Sequence, residues 1–304
     1  MSMRTLRTAL DAGRFAVTAE ISPPLSCDPE DLLARARPLV GLADAVNVTD
    51  GASARSQLDA PVAASILLQN GLDPVLQLTC RDRNRIALQS EMVGAAALGI
   101  VNLMMLRGDD PKAGDQPDAK PVFDLDSVAL LRTAASIRDR SELPHGRKVG
   151  GKAKFLIGCA DFPVEPKPGW KPEGLQKKLE AGAQFVQTQF CMDPALVGRY
   201  VEAVRAAGIA LGKDMHLLIG VVPLASAKSA RWIREHLFGS TIPDSIVARM
   251  DAATDQKREG EKICVEVLEA LSRVPGVSGA HVMAPLNDAA IPTVLSEFRQ
   301  RTGT

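Results

Sequence analysis

The sequence predicts an α/β chain, a (β/α)₈ barrel formed as one domain over residues 1–304. Three observations predict it: eight short apolar runs recur along the chain, helical patterns separate them, and the whole fits the ~250 residues typical of such barrels. Buried strands alternating with helices imply a parallel sheet with right-handed crossovers. A doubly wound open sheet competes with this reading. Against it, no GxGxxG follows the first run and no glycine-rich phosphate loop follows any run.

The first run, "FAVTAEIS" (15–22), carries one ionisable side chain, Glu20, and is stopped by Pro23 and Pro24. Period-2 alternation places Thr18, Glu20 and Ser22 on one face and Val17, Ala19 and Ile21 on the other. Either this is an edge strand or structural ion pair, or its end opens into a site. The helix "DPEDLLARARPLV" (28–40) follows, with Asp28 at the N-cap, Pro29 at the first helical position and acids in the first turn. The second strand is "ADAVNVTD" (43–50) and the third "DPVLQLTC" (73–80). Helix 84–99 closes on Gly99, a good C-cap. The fourth strand, "IVNLMMLR" (100–107), places Leu103, Met104, Met105 and Leu106 in the core.

A Pro-, Gly- and Asp-rich loop (108–121) and a helix (124–139) lead to the fifth strand, "KFLIGCA" (154–160). A second such loop (160–172) precedes the helix "EGLQKKLEAGA" (173–183). Both loops read as active-face segments rather than domain boundaries. The sixth strand, "FVQTQF" (185–190), helix 193–208 and the seventh strand, "HLLIGVV" (216–222), continue the pattern. Helix 226–239, a partly helical stretch from Pro243 and helix 259–274 come before the last strand, "GAHVMAP" (279–285).

Composition narrows the function classes. Thirty-six basic and thirty-six acidic residues cancel, so nothing points to a nucleic acid or a membrane surface. No apolar run approaches the ~18 residues of a spanning helix, and "MSMRTLRTALDAGRF" lacks a signal-peptide core. Five scattered cysteines, never spaced CxxC, read as reduced thiols of a cytoplasmic protein. Cys80, Cys159 and Cys191, near three strand ends, read as small buried hydrophobes. Four isolated histidines argue against a protein metal site.

In such a barrel the C-terminal strand ends form the active face. This chain places there Glu20; Thr49 and Asp50; Gln77 and Thr79; Arg107, Asp109 and Asp110; Asp161; Gln187 and Gln189; and Asn287 after the last strand. That is a mouth of carboxylates and amides without a Ser-His-Asp or Cys-His arrangement. Amides that donate and accept suit a flat heterocycle. Each has a plainer reading: Glu20 as a paired carboxylate, Asp109 as a turn cap, Gln187 and Gln189 as a buried pair. The lysines 167, 171, 177 and 178 form either a solvated face or an anchor for a phosphate or polyglutamate tail.

Several segments resemble the methylenetetrahydrofolate reductase family, in order through almost the whole chain. They are "TAEISPP", "VNVTDGASAR", "QLTCRDRN", "LMMLRGDDP", "KKLEAGAQFVQTQFCMD", "IGVVPLASAKSARWI" and the final "REGEKICVEVLEALSRVPGVSGAHVMAPLN". The resemblance implies a TIM-barrel flavoprotein passing hydride from NAD(P)H through flavin to 5,10-methylenetetrahydrofolate. It implies Glu20 as the general acid and Asp109 as a pterin ligand close to the flavin. It implies Gln189 as a pterin ligand as well, with Gln187 and Asn287 as further substrate-binding candidates. Thr49, Gln77, Leu106, Arg107, Gly108, Asp109, Ala160, Asp161, Lys177 and Lys178 would line the cofactor. The wording of the seventh and eighth strands is closer to the branch found in acetogens and other one-carbon specialists.

The flavin side departs from the family more than the folate side. Gln77 stands where the best-known bacterial members have His, and "DFPVEP" replaces a Tyr-Pro-Glu-x-His-Pro stretch. Lys171 and Gly174 replace an Asp and an Asn, and Ala227 replaces an aromatic after strand seven. The expected cofactor is FAD, with FMN or no flavin as alternatives. The expected activity is synthesis of 5-methyltetrahydrofolate, or the reverse in methyl-group catabolism. The competing readings are a flavin-independent reductase on the same barrel and a non-catalytic folate-binding accessory subunit. Small-residue helix surfaces such as "GAAALG" leave a homo-oligomer or a partner subunit open.

Overall fold

The computed structural model describes residues 3–285 and 287–303. Eight parallel strands pair in sequence order and close: β1 (Ala16–Ile21), β2 (Ala45–Val48), β3 (Pro74–Thr79), β4 (Asn102–Leu106), β5 (Leu156–Asp161), β6 (Phe185–Phe190), β7 (His216–Val221) and β8 (Val277–Val282). The open-sheet alternative is thereby excluded. β1 pairs with both β2 and β8, so the edge-strand reading of Glu20 falls as well. β8 runs from Val277 to Val282, earlier than the expected 279–285. Pro285, without an N–H to donate, lies past its end.

The helices are α1 (Leu6–Asp11), α2 (Pro29–Ala36), α3 (Ala60–Gln69), α4 (Arg85–Leu98), α5 (Ser127–Arg140), α6 (Glu173–Glu180), α7 (Pro194–Ala206), α8 (Ala227–His236), α9 (Asp244–Ala252), α10 (Gln256–Leu271) and α11 (Ala290–Thr302). Their ends follow local chemistry. Asp28 accepts from the Glu30 amide ahead of Pro29, and Asp193 caps α7 in the same way. Gly99 ends α4 at φ 84°, a left-handed turn that suits glycine. Helices α1, α3 and α11 were not anticipated by the periodicity. Among the described residues no helix is long and apolar enough to cross a membrane.

Strand alternation divides the interior into two cores. Val17, Ala19 and Ile21 point outward into the packing between sheet and helices. Ala16, Ala45, Val75, Met104, Leu156, Phe185 and Leu218 point inward and fill the lower lumen. There the Phe185 ring lies so close to Gly158 that a Cβ would fall 2.2 Å from it. Leu6, Ala9 and Leu10 of α1 join this inner core and close its floor. The Leu6 N–H donates to the buried Asp73 carboxylate at 2.8 Å, tying α1 to the start of β3. Burial raises the Asp73 pKa to about 6, against the opposing effect of that hydrogen bond. With the lower barrel packed in this way, only its upper end is left open.

Candidate active site

Above the apolar layer the lumen turns polar, and the residues responsible come from opposite sides of the barrel. Asn47 Nδ2 donates to Gln187 Oε1 at 2.6 Å, and Gln187 Nε2 donates to Thr18 Oγ1 at 3.1 Å. Thr18 Oγ1 is 2.9 Å from His281 Nδ1. His281 Nε2 reaches Glu20 Oε2 at 3.4 Å, and Gln77 Nε2 donates to the same oxygen at 3.1 Å. Asn47, Thr18, Gln187 and His281 are all buried, so this chain of partners satisfies groups that would otherwise be costly orphans. Glu20 carries the network's acid to the cavity, which Gln77, Gln187 and His281 line as well.

That cavity, of about 600 Å³, occupies the C-terminal mouth of the barrel. Of the residues singled out in the sequence, Glu20, Gln77, Gln187 and Gln189 line it together with Asp109. Thr49, Leu106, Arg107 and Gly108 line it too, as do Ala160, Asp161 and Lys178. Two do not. Lys177 faces a separate surface groove beside Lys171, because successive helical residues point ~100° apart. Asn287 turns its amide to the Pro223 carbonyl at 3.4 Å and lies outside the cavity wall.

The rim is fixed by half-buried and buried charge. Asp50 accepts from the Thr79 N–H at 2.7 Å and its hydroxyl at 2.8 Å, and pairs with Arg83. This locks the end of β2 to the end of β3. Arg81, which is buried, donates to the Gly51 carbonyl at 2.9 Å and pairs with Asp82. Asp109 accepts from the Ser53 amide at 2.8 Å, holding a turn in which Ser53 and Ala54 have φ 55° and 53°. The turn-capping role considered for Asp109 belongs to Asp110, which accepts from the Lys112 amide. Arg107 lies over the Phe123 ring, 5.0 Å from its centre.

Across the mouth, Lys178 Nζ donates to the Ala160 carbonyl at 2.6 Å and stands 3.9 Å from Asp161. Burial raises the Asp161 pKa, and the Lys178 charge opposes the rise. Burial likewise pushes the Cys80 thiol up to about 11 and those of Cys159 and Cys191 to about 12. All three are buried free thiols, in keeping with the packing role read from the sequence.

The wall from Thr49 to Asp109 offers backbone and amide groups to a planar ring. A resident dinucleotide also needs a place for its diphosphate. Lys178 is already held by Ala160 and Asp161, Lys177 faces elsewhere, and Arg81 pairs with Asp82, which leaves Arg107, over Phe123, as the cation on this wall that could meet it. The residues present fit a flavin ring better than a full diphosphate cradle.

With Arg81, Phe162 and Phe238, His281 is one of the site residues that sequence reading missed. Its signal was present: period 2 along β8 puts Gly279, His281 and Met283 on one face. Its partner in the neighbouring strand is Thr18, which no linear pattern could supply.

The model of a protein family described as methylenetetrahydrofolate reductase matches residues 5–299. The chain belongs to this family. It is 26% identical over 290 residues to the 5,10-methylenetetrahydrofolate reductase of Pectobacterium carotovorum, covering 88% of this chain and 85% of that protein. The Escherichia coli 5,10-methylenetetrahydrofolate reductase is 26% identical over 286 residues, with 88% and 86% covered. A Caenorhabditis elegans protein described as a probable methylenetetrahydrofolate reductase (NADPH) is 25% identical over 78% of this chain, which spans about a third of that relative's length (34%). Among solved structures, a Clostridium thermocellum protein that binds two copies of 5-methyl-5,6,7,8-tetrahydrofolic acid superposes with TM-score 0.64. It covers 97% of this chain and 98% of its own at 12% identity, a likeness of fold.

Proposed function

We propose that this family member reduces 5,10-methylenetetrahydrofolate to 5-methyltetrahydrofolate with hydride drawn from NAD(P)H, or catalyses the reverse reaction where methyl groups are oxidised. The observation that carries this reading is Glu20, an acid presented to the cavity from a satisfied polar network. Reduction requires the five-membered ring of the folate to open. The departing nitrogen leaves as an amine once it receives a proton, and the exposed iminium carbon then accepts hydride. Glu20 supplies that proton, a contribution of typically ~10²–10⁴-fold in rate.

The network suits both protonation states of the acid. With the His281 ring proton on Nδ1, facing Thr18, Nε2 accepts from a protonated Glu20. With the proton on Nε2, the Thr18 hydroxyl donates to Nδ1 and the ring donates to a Glu20 carboxylate. Gln77 donates to the carboxylate in the second state. Asp109 and Gln189 hold the pterin at the rim, and Asp161 stands between them at the end of β5.

A flavin, when bound, relays the hydride between nicotinamide and folate. With Lys178 held by Ala160 and Asp161 and Arg107 the cation left to meet a diphosphate, a second reading has nicotinamide give its hydride directly to the folate on the same barrel. A dissociating nicotinamide substrate tolerates a solvated diphosphate, which a tightly held resident cofactor does not. One experiment tests both. Purified protein is assayed for NAD(P)H oxidation dependent on 5,10-methylenetetrahydrofolate, with its visible spectrum recorded beforehand. Absence of such oxidation with either nucleotide overturns the function. Turnover with an absorbance band near ~450 nm that NADH bleaches supports the flavin route, and turnover without the band supports direct transfer.

A further inference from the structure

Phe238 is 83% exposed, the highest value among the described large apolar side chains, yet it stands on the wall of the candidate active site. Single exposed hydrophobics on a loop need no explanation. This one is held in place. Its loop, 237–243, joins α8 to α9, and the Thr241 N–H donates to the Phe190 carbonyl at 2.8 Å. The Thr241 carbonyl in turn accepts from Met192 at 2.9 Å. Thr241 therefore extends the end of β6, the strand that carries Gln187 and Gln189 into the cavity.

Phe162, immediately after β5, meets the Phe238 ring edge-on, with centroids 5.0 Å apart and planes at 72°. Gly239, at φ 82°, presses its backbone against Phe162, where a Cβ would fall 2.8 Å from the ring. A side chain at that position would push the loop away from Phe162. The pair is thus a buttressed aromatic step with one ring left uncovered at the mouth of a polar cavity.

We propose that Phe238, braced by Phe162, is the stacking surface for a planar heterocyclic ring bound in this cavity. This rests on the folate and nicotinamide reading given above, and two rings qualify: the nicotinamide of NAD(P)H and the pterin of the folate. An offset stack on an uncovered phenyl ring tolerates either, since both present a π-face. Such stacking changes Kd roughly 5- to 100-fold on truncation to alanine.

The test measures Kd for NADH and, separately, for 5-methyltetrahydrofolate, in wild type, Phe238→Ala, Phe238→Trp and Phe162→Ala. Phe238 is exposed, so Tm is expected to stay at the wild-type value in its variants. The expected result is that Phe238→Ala weakens one ligand by at least 5-fold and leaves the other within 2-fold, which identifies the ring. Phe238→Trp keeps the affinity and shows indole quenching by that ligand alone, while Phe162→Ala loses part of it. Wild-type binding of both ligands with unchanged affinities in Phe238→Ala overturns the proposal and leaves the proposed function standing. Failure of the wild type to bind either ligand overturns the proposed function and, with it, the stacking role.

Discussion

Glu20 Oε2 lies 3.4 Å from His281 Nε2, across the seam where the first and last strands meet, 261 residues apart in the chain. His281 is buried and Glu20 is partly open to the cavity, so the pair joins the sealed interior to the place where substrate would sit. On the proposed reading, Glu20→Gln keeps the shape of the side chain and removes its transferable proton. Steady-state turnover is expected to fall by ~10²–10⁴-fold with folate affinity retained. Unchanged turnover would remove Glu20 from the mechanism and favour the accessory-subunit alternative.

His281→Leu separates positioning from chemistry. It removes one partner each of Thr18 Oγ1 and Glu20, which keep Gln187 and Gln77 respectively. Chemical denaturation is expected to register a loss of about 1 kcal/mol. The pH profile of kcat is expected to shift while Kd for 5-methyltetrahydrofolate stays within twofold. His281→Gln, which can still bridge two neighbours, should recover part of the stability. A profile identical to wild type would confine His281 to packing.

Asp109 is exposed, and its carboxylate holds the 51–54 turn through the Ser53 amide. Asp109→Ala should cost less than about 1 kcal/mol in stability, the ordinary range for an exposed position. If Asp109 also holds the pterin, KM for the folate rises at least tenfold. A KM equal to wild type would leave Asp109 only its turn.

The floor of the barrel carries a pH signature of its own. Burial raises the Asp73 pKa from 3.8 to about 6, so the folded state favours the protonated acid. Its contribution is present below the unfolded pKa and is lost as pH rises through the folded one, between about pH 4 and 6. The loss amounts to about 3 kcal/mol at 1.36 kcal/mol per unit. Asp73→Asn keeps an acceptor for the Leu6 amide and cannot ionise. Urea titrations should find it close to wild type at pH 4 and more stable at pH 8. Parallel stability curves would refute the assignment.

Gly158→Ala would drive a methyl group into the Phe185 ring, 2.2 Å from its Cζ. Overpacking of this kind costs about 1–3 kcal/mol, and Phe185→Leu in the same chain should restore much of it. Urea midpoints of the single and double variants give the comparison. Additive losses would show that the two residues do not share the lumen volume.

All eight strands were legible because each is a short apolar run closed by turn chemistry, and burial on both faces leaves little room for polar residues. The helix caps at Asp28 and Gly99 were legible for a local reason, since each acts within its own turn. Helix α1 was not, because six residues are too few to display a period. Lys177 and Lys178 looked equivalent in the sequence. One helical step turns Lys178 toward Ala160 and Lys177 away from the site.

The sequence by itself therefore determined the strand and helix alternation, and with it the mouth at which Glu20, Gln77, Asp109 and Gln189 gather. Those follow from period, polarity and the order of elements along one chain. Closure of the barrel decided the rest. It set His281 against Thr18 and Glu20, joined Asn47 to Gln187 across the lumen, and carried Phe238 to the wall of the cavity. Such contacts depend on strand register and on loops tied to distant strand ends. A linear pattern holds neither, because hydrogen bonds and packing act through space between residues that the chain separates.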